Sequence, residues 1–228
     1  QTYNSYINLY KGNIMTKEII LIDCDQCLLN YNQRVANIYE DLFNAKPVIK
    51  DAAAFKATNI YDFSVLKKAE LEAFQKACSG VNLWSKMPAM DGALEFVNQH
   101  KNDFEFIVLT RMVEEFKDIR HQNLTELGFE IKDVWAVPRV ATENPKEKLA
   151  RETGAVFFID DLVKNFEGIH DIPTKMVLID HKYTDGANDK REGIRIDYSV
   201  SSFKELSDTI VTPYLEDKNR IVQRRRFR

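Results

Sequence analysis

The sequence predicts an α/β fold: a doubly wound, mostly parallel sheet with helices on both faces and a small inserted helical cap. Three observations predict it. Short apolar runs of strand length recur along the chain between polar residues, as strands buried on both faces require. Between most of them apolar residues fall three to four apart, the helical spacing, so strand and helix alternate. Residues 30–88 carry helical spacing with no strand signal, more chain than one crossover helix needs, which places an insert after the first strand.

The first strand is Ile19 to Ile22, and two carboxylates follow it at once, Asp23 and Asp25. Parallel sheets bind ligands at the carboxyl ends of their strands. Two close carboxylates repel, and a hard cation such as Mg2+ relieves that repulsion. Alone, Asp-x-Asp is better read as a solvated acidic turn after a strand. Cys24 and Cys27 form a Cys-x-x-Cys, readable as a redox pair, half a zinc site, or two small side chains packed around a tight loop. No nearby Cys or His pair completes a zinc set.

Tyr31, Val35, Ile38, Leu42 and Phe43 mark a helix over residues 31–43. Pro47 interrupts the next stretch, and residues 60–64 read as an aromatic turn with Ser64 placed to cap a helix from Val65 to Ala77. Residues 78–80 end that helix, residues 84–90 form a loop, and Asp91 opens a helix through His100. The second strand, Phe104 to Leu109, ends in Thr110-Arg111, a hydroxyl and a cation suited to phosphate oxygens. A helix from Met112 to Leu127 closes at Gly128, and Val134 to Val137 is a short strand. Asn144-Pro145 starts a helix whose first turn carries Lys146 and Lys148, cations that oppose the helix dipole. Residues 155–159 form a buried strand ending in Asp160-Asp161, and residues 175–179 form another. Residues 194–196 read as a short edge strand, and residues 202–210 as a last amphipathic helix. The sum is a Rossmann-like sheet.

Composition sets the bounds. The 228 residues are 44% hydrophobic and 29% charged, ordinary for a globular protein. A net charge of −3 creates no general attraction to nucleic acid, so no nucleic-acid partner is expected. The five arginines of residues 220–228 read as a frayed, solvated end. No apolar run approaches the roughly 20 residues of a bilayer span, so no membrane partner is expected either. Residues 1–13 lack a secretory pattern, Met15 is placed to be a natural start, and three cysteines make no disulfide framework. The expected location is the cytoplasm.

The ordered set says more than its members: Asp23-x-Asp25, then Thr110, then Lys146 or Lys148, then Asp160-Asp161. From about Lys17 to Leu206 the chain resembles the haloacid dehalogenase (HAD) superfamily of phosphohydrolases, whose four motifs occur in that order. The insert after the first motif, Tyr61-Asp62-Phe63 and Met87-Pro-Ala-Met-Asp-Gly-Ala-Leu look most like the 5'(3')-deoxyribonucleotidase family. The resemblance implies a core of residues 15–29 plus 89–212, a helical cap at 30–88, and terminal extensions at 1–14 and 213–228. It implies a magnesium-dependent phosphatase acting on a phosphate monoester, a nucleoside monophosphate in the closest family. Asp23 would be the nucleophile and Asp25 the acid/base. Thr110 and Lys146 would hold the phosphoryl group, with Arg111 beside it. Mg2+ would bind Asp23, Asp161 and the backbone of Asp25, with Asp160 ordering that shell. Tyr31 and Phe63 would line a nucleoside pocket. The family's small residue after the second aspartate, and the Thr or Val that follows, are here Gln26 and Cys27. A HAD-like phosphatase of sugars or other small metabolites is the alternative within the superfamily; a receiver-type phosphorylation domain and a phosphate-binding module without turnover are the alternatives outside that activity. The receiver domain lacks a cap, and the binding module would most readily have lost Asp25.

Overall fold

The computed structural model describes residues 17–138 and 144–226; the expectations for residues 1–16 lie outside it. The first strand, β1 (Glu18–Ile22), sends Ile20 and Ile22 into one core and Ile19 and Leu21 into another. That is why its run is apolar at every position rather than at alternate ones.

The insert follows. Helix α1 (Tyr31–Phe43) starts where the Asn30 side chain accepts from the Gln33 N–H at 2.8 Å and ends at left-handed Asn44. A strand pair interrupts the expected all-helical stretch: β2 (Val48–Ile49) and, beyond the short helix α2 (Ala57–Ile60), the antiparallel β3 (Tyr61–Asp62). Two residues per strand are too few to show a period of two in sequence. Helix α3 (Lys68–Ala77) starts later than expected. Ser64 turns back to Asp62, whose Oδ1 accepts from its N–H at 3.0 Å and its hydroxyl at 2.6 Å. That local bond takes Ser64 away from capping; Glu70 accepts from the Lys67 N–H instead. Trp84, expected in a loop, ends the short helix α4 (Val81–Trp84), of which Leu83 and Trp84 are buried. Phe74 of α3 packs against Tyr39 of α1 and Phe63, with ring centres 5.7 and 4.8 Å apart.

Helix α5 (Ala93–His100) leads into β4 (Phe104–Arg111), which outruns its expected end because the Met112 N–H still bonds to the Val137 carbonyl. Helix α6 (Lys117–Glu126) therefore starts five residues late. Strand β5 (Asp133–Val137) and helix α7 (Pro145–Thr153) follow, then β6 (Phe157–Asp160) and β7 (Lys175–Ile179). The edge strand β8 is Tyr198–Val200, not residues 194–196. Arg195 is drawn to the Ile172 carbonyl and Asp197 binds the Met176 N–H, so regular pairing begins only beyond them.

The last helix also differs. After α8 (Phe203–Leu206) the chain makes a π-turn over Ser207–Val211 and continues as α9 (Thr212–Arg226). Pro213 has no N–H and crowds the preceding turn, which widens rather than breaks. Tyr214, near the start of α9, packs on Phe157 and donates to Glu18, which anchors that end of the helix on the sheet. Among the described residues no helix is long and apolar enough to cross a membrane.

The six-stranded sheet runs β5-β4-β1-β6-β7-β8, every pairing parallel. The chain leaves β1 toward β4 on one side and returns to β6 on the other. The carboxyl end of β1 is thus the switch point at which such sheets open a crevice.

Candidate active site

Register places the motif residues. Ile22 pairs with Val108 of β4 and Ile159 of β6. Asp23, Leu109 and Asp160 therefore lie at one level, with Thr110 and Asp161 one step further out. The Asp23 N–H bonds to the Ile159 carbonyl at 2.9 Å, carrying the ladder to its last rung. The chain then turns sharply, with the Cys24 carbonyl accepting from the N–H groups of Cys27, Leu28 and Leu29. Gln26 takes φ 62°, a left-handed backbone that glycine adopts freely and glutamine does not. Cys24 and Cys27 are free and wholly buried. Burial pushes both thiols up, and both side chains pack in the core around the turn.

Lys146 is the lysine brought to the strand ends. Asn144 caps α7 by accepting from the Lys146 N–H, and Pro145 needs no partner at the first position. The Lys146 Nζ lies 2.6 Å from both Asp23 Oδ1 and Asp160 Oδ2 and is fully buried, whereas Lys148 is exposed. Burial opposes the charge of Lys146, but Asp160 and Asp23 outweigh it and hold its pKa above lysine's ordinary value. Burial pushes Asp23 up to about 7, against the pull of Lys146, and repulsion from Asp160 and Asp25 adds to the rise. Burial, then Asp160 and Asp23, raise Asp161 well above the carboxylate range.

Asp160, expected among the groups ordering the cation, is fully engaged elsewhere. Lys146, Asn165 and the Leu162 N–H all donate to it, so it holds the lysine. Asp161 differs. Tyr183 donates to its Oδ2 at 2.6 Å, while its Oδ1 is buried with no hydrogen-bond partner. Ligand atoms of Asp23, Asp161 and Cys27 lie within 4.8 Å of one another. A bare buried carboxylate oxygen beside a second carboxylate suits a hard cation bound through oxygen. Burial pushes the Cys27 thiol up, away from the thiolate form that binds soft metals.

A cleft of about 510 Å³ opens over these groups. Thr110, Arg111 and Tyr31 line it. Arg111 is steadied by Asn165 and Asn144 at 3.2 and 3.3 Å. Phe63 does not line it; the ring sits in the neighbouring groove, packed on Phe74 and Tyr39. Phe55 lines the cleft instead, with Lys56 and Lys164. Asp25 reaches the cleft but pairs at 2.8 Å with Arg120, which is wholly buried and lies 4.8 Å from the Trp84 ring. Sequence reasoning misses Arg120, Phe55 and Tyr183. Arg120 left one sign: it shares a helix face with Asn123 and Leu124, three and four residues on.

No family model matches the chain, and no curated protein matches it by sequence. Solved structures do. The L-2-haloacid dehalogenase PA0810 is 10% identical at a TM-score of 0.54, covering 83% of this chain and 97% of that one. A HAD-family hydrolase from Deinococcus radiodurans, solved with bound phosphate and sodium, is 15% identical at 0.54, covering 83% and 93%. The HAD-hydrolase YfnB from Bacillus subtilis, bound to magnesium, is 14% identical at 0.50, covering 84% and 97%. The fold is the α/β fold of HAD-superfamily hydrolases.

Proposed function

We propose that this chain is a magnesium-dependent phosphatase that hydrolyses a phosphate monoester through an aspartyl-phosphate on Asp23, and that its substrate is a nucleoside monophosphate. One observation carries the reading. The Lys146 ammonium holds Asp23 and Asp160 at 2.6 Å while Asp161 keeps a buried oxygen unpartnered beside them. Residues 30–88 act as the cap over a core of residues 15–29 and 89–212. The phosphate seen in the Deinococcus protein and the magnesium in YfnB support the ligand classes.

The residues supply the steps. Asp23 attacks phosphorus, and the bond from phosphorus to the ester oxygen breaks. Asp25 gives that oxygen a proton, then takes one from the water that splits the aspartyl-phosphate. Lys146 has three N–H donors and uses two on carboxylates, leaving one for a phosphoryl oxygen. Thr110 and Arg111 hold the others. Asp23, Asp161 and the backbone carbonyl of Asp25 would hold Mg2+, which would supply the positive charge that lets a carboxylate approach a dianionic phosphate.

The test is turnover of p-nitrophenyl phosphate with Mg2+ and with EDTA, beside an L-2-haloacid. Hydrolysis that needs Mg2+ is expected, with no halide release. Halide release, or phosphatase activity indifferent to EDTA, would overturn the reading.

The nucleoside part rests on the rings at the cleft, Tyr31 and Phe55. Stacking a base contributes about 1–3 kcal/mol. Phe55→Ala is therefore expected to raise KM for a deoxynucleoside monophosphate roughly tenfold or more, and KM for p-nitrophenyl phosphate far less. Phe63→Ala should change both KM values alike. Equal effects of Phe55→Ala on both substrates would leave a phosphatase without a base pocket there.

A further inference from the structure

The loop after β7 has no part in the steps above, yet it touches both the cation cluster and the chain over the cleft. Tyr183 donates to Asp161 Oδ2 at 2.6 Å. Asn188 donates to the Asp161 carbonyl at 2.8 Å and accepts from the Val163 N–H at 3.0 Å. One loop thus holds Asp161 by side chain and by main chain.

The same loop reaches residues 51–59. The Tyr183 ring meets Phe55 edge-on, with centres 5.1 Å apart. The Thr184 N–H donates to the Ala53 carbonyl at 3.1 Å, and its hydroxyl to the Asp51 carboxylate. Asp185 accepts from the Lys56 N–H at 3.2 Å and from Asn59 Nδ2 at 2.8 Å. Phe55 and Lys56 line the cleft. A carboxylate turns easily about its last torsion. The single phenolic hydrogen on Oδ2 settles that torsion and leaves Oδ1 bare.

We propose that Tyr183 is a positioning residue for Asp161, and that residues 183–185 link cation binding to the seating of residues 51–59 over the cleft. The proposal rests on the reading of Asp161 as a cation ligand. Linkage of this kind is reciprocal: the seated segment presents Asp161 in its binding orientation, and a bound cation seats the segment.

The experiment measures Mg2+ affinity by calorimetry and backbone hydrogen exchange with and without Mg2+, on the full chain. It compares the wild type, Tyr183→Phe and Asp185→Ala. Tyr183→Phe keeps the ring against Phe55 and should weaken Mg2+ about 10–100-fold. Asp185→Ala removes a contact remote from the cation and should weaken it on the order of fivefold. Mg2+ should slow exchange across residues 51–59 in the wild type, and should fail to do so in Tyr183→Phe at saturating Mg2+. Unchanged Mg2+ affinity in either variant, or equal slowing in Tyr183→Phe, would overturn the proposal. A Tyr183→Phe chain that only melts earlier, with Mg2+ responses intact, would do so too. A wild-type chain that binds no Mg2+ at millimolar concentration removes the cation reading itself and this proposal with it, which tells the two failures apart.

Discussion

Asp23→Asn is expected to reduce phosphatase turnover to background, a loss on the order of 10⁴-fold or more, while the fold persists. An amide does not attack phosphorus and is not an anionic ligand. The fold should persist because Lys146 keeps Asp160 at 2.6 Å, and the amide oxygen can still accept from Lys146. Burial already pushes the Asp23 carboxyl up to about 7, so a neutral group there removes a desolvation cost. The melting temperature of the metal-free protein should therefore stay the same or rise. Acid-quenched mass spectrometry should find a phosphoryl adduct in the wild type and none in the variant. Turnover within tenfold of the wild type would sink the mechanism.

Lys146→Ala is expected to damage both stability and rate, and Lys148→Ala neither. Removing the ammonium leaves Asp23 and Asp160 buried beside each other without their shared cation. Breaking one side of a buried ion pair costs about 3–5 kcal/mol, whereas an exposed substitution stays within about 0.5 kcal/mol. Loss of the remaining phosphate donor should lower kcat by about 10²–10³-fold. Urea unfolding and p-nitrophenyl phosphate kinetics on the two variants make the comparison. Equal effects in both would mean that the buried triad of Asp23, Lys146 and Asp160 does not organise the site.

Local sequence determined the parts that depend on short-range pattern. Strands such as β1 and β7 are apolar at nearly every position because each buries two faces, and that shows in single runs. Asn144 and Pro145 announce the start of α7 because capping uses only neighbouring residues. The apolar runs of β1, β4 and β6 were legible too, although β4 outruns its expected end, so Asp23, Thr110 and Asp161 could be named before their meeting was seen. Tertiary structure decided what depends on long-range contact. Lys146 and Lys148 share one helical turn, but two residues rotate a helix by about 200°, and only the sheet shows which faces inward. Phe63 lies near the cleft in sequence, yet it packs beside Phe74, and Phe55 takes the cleft position. Arg120 meets Asp25, and Tyr183 meets Asp161, across chain separations that no local spacing encodes. The buried strands follow from the period of the chain; the partner of a buried charge follows from which elements the sheet order brings together.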